Sequence, residues 1–218
     1  MFYKNIIIKL FKNKQYLDPK LRIFNEGFGH HLSKKLKSSV NEKNEPLPWF
    51  TYPALEFLNQ LNLADADIFE WGSGNSSKYF SNKCKSIISI EHDLNWYEIQ
   101  KDHLQKNQQL IYVNESFYDK VINEKNKEYD IIIIDGILRG LCLQSALNFI
   151  KLDGMIIYDN ADRDPQNCLI LREKGFTQID FSGFGPINDY TWTTSIFFKQ
   201  LKFKPISIQP KIPIGGGY

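Results

Sequence analysis

The chain has 218 residues, 42% of them hydrophobic and 24% charged, and a net charge of +2. That length and balance exclude a largely disordered chain and suit one globular domain with room for a sizeable core. The small net charge gives no electrostatic case for a nucleic-acid partner, whose phosphates call for a strongly clustered basic face.

Residues 1–45 are polar, rich in Lys and Asn and without a sustained period, and read as an N-terminal extension. The lysines of "KLFKNK" and "KKLKSS" read as a solvated face. The apolar run in "MFYKNIIIKLFKNK" is too short for a signal segment or a span, so no stable membrane insertion is expected. Cys84, Cys142 and Cys168 are an odd set with no CxxC pair, which suits a reducing cytoplasm and residues that pack rather than react.

The compact domain is expected over residues 46–200. Pro46, Pro48 and Pro53 lead into Ala54, Leu55, Phe57, Leu58, Leu61 and Leu63, the apolar side of a first helix. Strand and helix patterns then alternate through "DIFEW", "SSKYFSNK", "SIISIE", "LNWYEIQKDHLQ", "QLIYV", "YDIIIID", "LCLQSALNFIK", "GMIIYD" and "PQNCLILREKG". The unalternating runs "IIII" and "MIIY" fit parallel strands covered on both faces, so the fold class is α/β: an open, mostly parallel, Rossmann-like sheet. After Gly175, "FTQIDFSGF" and "WTTSIFFKQ" lack an intervening helix and predict a closing antiparallel hairpin. Residues 201–218, with Pro205, Pro210 and Pro213, read as an extended tail over the surface or onto a partner chain, which leaves a homo-oligomer open.

Within "DIFEWGSGNSSKYF" a strand stops at Gly72 and Gly74 and a helix follows, the arrangement that cradles nucleotide-type ligands. Ser77 stands where a dinucleotide fingerprint wants its third glycine or alanine. Glu70 closes the strand, where its charge would repel a pyrophosphate and attract a sulfonium or ammonium group; pairing with a surface lysine is the alternative. Glu91 ends the next strand nineteen residues after Gly72, placed to accept hydrogen bonds from ribose hydroxyls.

Together "FEWGSGNSS", "ISIEHD", "YDIIIIDG" and "GMIIYDN" resemble the successive strand-end motifs of class I S-adenosylmethionine-dependent methyltransferases, over roughly Pro48 to Lys199. The resemblance implies S-adenosyl-L-methionine as cofactor. Glu70, Gly72 and Gly74 would lie along its methionine part, with Ser76 or Ser77 at the helix start, Glu91 on the ribose, and Asn114, Glu115 and Ser116 near the adenine. Asp135 would stand beside the cofactor loop.

Asp135 closes one strand, and Asp159 with Asn160 closes the next; on adjacent strands about 4.8 Å apart their oxygens would converge and suit magnesium or another divalent cation. This set is similar to the metal-binding residues of catechol O-methyltransferase-like and macrolide-sugar O-methyltransferase families, except that Leu138 replaces the catechol enzymes' lysine base. Local turn formation by the same residues is the alternative. Arg139 and Arg163 would clamp an anionic group of the substrate, or else pair with Asp162 or Asp164. His92, His30, His31 and Asp135 are the candidate bases. In "PWFTYP", Trp49 and Tyr52 could cover the acceptor, or the aromatic residues could pack in the core.

The reading that follows is a methyltransferase acting at oxygen on a small-molecule or carbohydrate acceptor. A non-catalytic adenosyl-nucleoside-binding subunit is the rival from another class. An NAD-dependent dehydrogenase is disfavoured by Glu70, Ser77 and the terminal hairpin.

Overall fold

The computed structural model describes residues 19–216. The lysines of "KLFKNK" lie outside the described residues. A short helix α1 (Pro19–Arg22) runs into a π turn, Ile23–Gly27, followed by α2 (His30–Leu36) and α3 (Tyr52–Leu58). Then come β1 (Asp67–Trp71), α4 (Asn75–Ser81), β2 (Ser86–Glu91), α5 (Leu94–Gln100), β3 (Gln108–Tyr112), β4 (Tyr129–Ile134), α6 (Arg139–Ala146), β5 (Ile150–Tyr158), α7 (Pro165–Glu173), β6 (Thr177–Gly183) and β7 (Trp192–Phe198).

The seven strands form one sheet in the order β3-β2-β1-β4-β5-β7-β6. The strands from β3 through β5 pair parallel, and β7 runs antiparallel to both neighbours, which is the expected closing hairpin. The four isoleucines of β4 show why no alternation was visible. Ile132 and Ile134 enter one hydrophobic core with Cys142, Leu143 and Leu171, and Ile131 and Ile133 enter the other with Leu55, Leu58 and Phe80. A strand buried on both faces needs apolar side chains at every position.

Two boundaries differ from the sequence pattern. The helix α3 stops at Leu58, after which Leu61 makes a β-bridge with Pro205 of the tail and Ile206 N donates to Gln60 O at 2.9 Å. The strand β5 begins at Ile150, inside the stretch expected to be helical, because Tyr129 pairs with Ile150 ahead of a bulge in the ladder.

At the amino ends of the strands, Asp130 is the tie-point. Its Oδ2 accepts from Asp67 N at 2.8 Å, and its Oδ1 receives the ammonium groups of Lys151, at 2.8 Å, and Lys202. Asp67 in turn is flanked by Ser86, Lys85 and Lys127. The segment before residue 46 packs on this body: His30, Ser33, Ser39 and Val40 are buried, and Asn75 Nδ2 donates to Ser39 O at 2.7 Å. Among the described residues no helix is long and apolar enough to cross a membrane.

Candidate active site

The chain leaves β1 for β2 and β3 on one side and returns to β4 on the other, so the sheet's topological switch lies between β1 and β4. At the carboxyl ends of these strands lies a cleft of about 530 Å3, lined by residues from the β1, β2, β4 and β5 ends and from the β6–β7 loop. Its floor depends on Gly72, whose φ of 99° is left-handed and where a Cβ would stand 3.3 Å from the backbone of Asp135 and Gly136. A Cβ at Gly74, by contrast, would meet only Trp96, at 3.9 Å.

Ser73, between the two glycines, joins the turn to the end of β2. Its Oγ donates to Glu91 Oε2 at 2.7 Å and accepts from Gln100 Nε2 at 3.0 Å, while its carbonyl accepts from Trp96 Nε1 at 2.9 Å. Glu91, only 4% exposed, also takes the backbone N–H groups of His92 and Asp93 on Oε1, both at 2.9 Å. Oε2 therefore holds one side-chain donor and keeps acceptor capacity at the cleft wall. The sequence reading passed over Ser73 and Trp96. The signal available was a tryptophan in the first turn of the helix after β2, close in sequence to Glu91; in the structure it is 44% exposed.

Glu70 stands elsewhere than expected. It is fully buried behind the turn, where Oε2 accepts from Ser77 Oγ at 2.5 Å and Ser89 Oγ at 2.7 Å, and Ser77 Oγ accepts from Gly74 N at 3.1 Å. Burial, against the opposing hydroxyl bonds of Ser76, Ser77 and Ser89, raises its pKa, which weakens any role as a fixed negative charge. Glu70 and Ser77 brace the glycine turn from behind, whereas Ser76 lines the cleft. Glu115 and Ser116 also lie outside the cleft lining. The 3-10 turn that carries them points Tyr118 inward, where its carbonyl accepts from Trp71 Nε1 at 2.8 Å, and leaves both side chains exposed.

The proposed metal set does come together, but around an arginine. Ile134 pairs with Tyr158, so Asp135 and Asp159 follow side by side. Between them, Arg139 Nη1 donates to Asp159 O at 2.5 Å and Asn160 Oδ1 at 2.9 Å, and Nη2 lies 3.4 Å from Asp135 Oδ1. Asp159 Oδ1 is taken by Thr194 Oγ1 at 2.5 Å and Trp192 Nε1 at 3.0 Å. A divalent cation would have to displace a guanidinium that already holds this place, so the donor set does not fit one. Among the described residues, no group of three or more His, Cys, Asp or Glu is arranged to hold a metal. Burial and the adjacent Asp159 charge push the Asp135 carboxyl well above the usual range, against the pull of Arg139. Burial likewise carries Asp159 to about 6 despite its two hydrogen-bond donors.

The other candidates divide in the same way. His92 edges the cleft, with Nδ1 3.2 Å from Glu91 Oε1 and its ring against Tyr118 at 5.7 Å. His30 is buried behind the β6–β7 loop, Nδ1 donating to Gly185 O at 3.1 Å, and His31 is exposed outside the cleft. Trp49 reaches the cleft, but Tyr52 does not: it is 4% exposed, packed on Phe28 at 4.6 Å, and its backbone N donates to Phe184 O. Neither arginine pairs with Asp162 or Asp164. Those carboxylates accept from Thr193 N and Tyr158 OH instead. The three cysteines are buried, and burial raises each thiol pKa, which disfavours the reactive thiolate.

No protein-family model matches the chain, and no curated protein matches it. Solved structures do. The precorrin-6y C5,15-methyltransferase of Geobacter metallireducens aligns with a TM-score of 0.57 at 14% identity, over 75% of this chain and 94% of that one. An rRNA methylase of Streptococcus thermophilus aligns with a TM-score of 0.51 at 14% identity, over 67% and 94%. The spermidine synthase of Thermotoga maritima gives 0.51 at 19% identity, over 75% and 62%. These neighbours differ in what they act on, so the likeness speaks to architecture and not to acceptor. The chain has the Rossmann-like fold shared by class I S-adenosylmethionine-dependent methyltransferases.

Proposed function

We propose that the chain is an S-adenosylmethionine-dependent methyltransferase that methylates a hydroxyl oxygen of a small-molecule or glycosyl acceptor. The observation that carries this reading is the convergence, on one cleft at the sheet's switch point, of the Gly72 turn, the Glu91 carboxylate and the Asp135 carboxyl. The cofactor fits these residues: Gly72 lets a ligand approach the backbone, Glu91 keeps acceptor capacity for ribose hydroxyls, and Trp96 offers a flat wall beside it. With Glu70 behind the turn, the preference for a sulfonium over a pyrophosphate rests on the Glu91 carboxylate in the cleft wall.

When bound, S-adenosylmethionine supplies a methyl group on a positively charged sulfur, which departs as a neutral thioether. The chain's own contribution is to position the acceptor oxygen and take its proton. Asp135 does the latter in this reading: burial and the adjacent Asp159 charge raise its pKa, which strengthens it as a proton acceptor. Arg139 keeps Asp135 in place and favours its ionised form. No step is assigned to a metal ion. His92 serves to hold Glu91, its Nδ1 and backbone N both facing the same Oε1.

Calorimetry with S-adenosylhomocysteine tests the reading. Wild type is expected to bind it, and Glu91→Ala to bind it more weakly by about 1–3 kcal/mol, roughly five- to 150-fold, because ribose hydroxyls lose a buried acceptor. Glu91→Gln, which keeps the shape, should fall between. Failure of the wild type to bind any adenosyl ligand, or preferential binding of a nicotinamide cofactor, overturns the proposal.

A further inference from the structure

The two arginines of the cleft are in opposite states. Arg139 has Nε donating to Gly136 O at 2.9 Å and its remaining donors turned to the Asp135, Asp159 and Asn160 groups, so its hydrogen-bonding capacity is used within the protein. Arg163 lines the same cleft from the 3-10 turn after β5, is exposed, and has no ion pair or side-chain hydrogen bond among the described residues. Its guanidinium carbon lies 5.9 Å from the centroid of the Tyr190 ring. The neighbouring carboxylates that would ordinarily neutralise it are engaged elsewhere: Asp162 Oδ1 accepts from Thr193 N at 2.9 Å and Asp164 Oδ2 from Tyr158 OH at 2.8 Å.

The wall that carries Tyr190 is held with some care. Ile187 has φ 70°, a left-handed conformation that costs a β-branched residue energy, and the next residue, Asn188, donates its backbone N to Pro186 O at 2.8 Å. This tight bend turns Asn188 and Tyr190 toward the cleft. It is fastened from behind by α2, where Lys34 Nζ lies 2.5 Å from Asp189 Oδ2 and His30 meets Gly185 O. The exposed guanidinium therefore lies at the edge of cation–π range of an aromatic ring, 5.9 Å from its centroid, on a loop tied to α2, and its donor edge remains for a ligand.

We propose that the acceptor carries an anionic group, a carboxylate or a phosphate, which Arg163 receives at the cleft mouth while Tyr190 and Trp49 flank the attached ring. The inference rests on the methyltransferase reading for which end of the cleft is the acceptor's. The charge layout supports it: the buried Glu91 carboxylate in the cleft wall suits a cationic donor, and Arg163 is an exposed positive charge on the same cleft. Asn188 adds an amide that can donate to the same anion or accept from a neighbouring hydroxyl.

The test uses phenyl phosphate, benzoate and phenol, three ligands that share a ring and differ in charge. Each is titrated by ligand-observed NMR into the full chain loaded with S-adenosylhomocysteine, and into the unloaded chain. Both anions are expected to bind about tenfold more tightly than phenol, and Arg163→Gln to abolish that preference with S-adenosylhomocysteine affinity unchanged. Arg163→Lys, which keeps the charge without the planar fork, should retain only part of it. Equal affinities for the three ligands, no measurable binding of either anion, or an anion preference that survives Arg163→Gln overturns the proposal. Loss of adenosyl binding by the wild type, with the Arg163-dependent preference intact in the unloaded chain, would strike the methyltransferase reading alone.

Discussion

Asp135→Asn is expected to lower turnover by about 10²–10⁴-fold while leaving S-adenosylhomocysteine affinity close to that of the wild type. The substitution keeps the side chain's size and leaves an oxygen for Arg139, whose Nη2 lies 3.4 Å from Oδ1, so the turn after β4 has no reason to move. What is lost is the ability to take a proton from the acceptor hydroxyl. The measurement is kcat and KM on any acceptor methylated by the wild type, with calorimetry on the adenosyl ligand as the control. His92→Gln is the paired variant. A full loss in that variant with a fully active Asp135→Asn would transfer the role of base to His92.

Gly136→Ala should cost about 1–3 kcal/mol or more, because a Cβ there enters the hydroxyl of Tyr118 and comes within 3.1 Å of both Tyr118 Cζ and Gly72 N. Tyr118 is fully buried in the core beneath the cleft and cannot swing aside. Its hydroxyl has no hydrogen-bond partner among the described residues, so Tyr118→Phe alone should be nearly neutral or stabilising. The two changes are therefore coupled: the double variant should recover much of the loss, and a thermal melt of all four proteins reads the interaction. For a chain of this length each kcal/mol moves the midpoint by roughly 2–4 °C. Strict additivity of the two changes would show that the clash with Gly72 N, and not the tyrosine, sets the cost.

How far the sequence carried can be seen in particular residues. The β4 isoleucines, the Gly72 turn and the strand-end Asp135 and Asp159 were legible because burial on two faces and a left-handed turn each demand a residue type. Glu70 was misjudged for a reason of parity. The side chain of β1 at this position points to the face where Ser89 is its register partner on β2 and Ser77 stands in the first turn of α4, so two hydroxyls enclose it. The metal reading failed because spacing alone does not show that Arg139, one turn beyond Asp135, folds its guanidinium back among the same oxygens. Ser73, Asn188 and Tyr190 were not legible at all. The place of Asn188 and Tyr190 depends on a loop bend and on contacts with α2 such as that of His30 with Gly185, 155 residues apart, and that of Ser73 on Glu91, Gln100 and Trp96.

The two rims of the sheet carry carboxylates of opposite acid behaviour. At the amino rim, burial works against the charges of Asp67 and Asp130, but Ser86 and Lys127 around one, and Lys151 and Lys202 around the other, outweigh it and depress both pKa values. Their stabilisation is present above the ordinary carboxylate range and fades only as pH falls through those depressed values. At the carboxyl rim, burial raises Asp135 and Asp159, so on acidification the folded chain takes up protons there before the unfolded chain would, which favours the fold. Acidification should accordingly silence the chemistry first and dismantle the scaffold much later. Turnover and far-ultraviolet circular dichroism followed through the same buffers would show two separate transitions; a single coincident loss would mean that the rims do not titrate independently. With the lysine pairs of Asp67 and Asp130 set at the end away from the cleft, the sheet keeps those scaffold charges apart from a proton-hungry working edge, where Arg139 is the counter-charge.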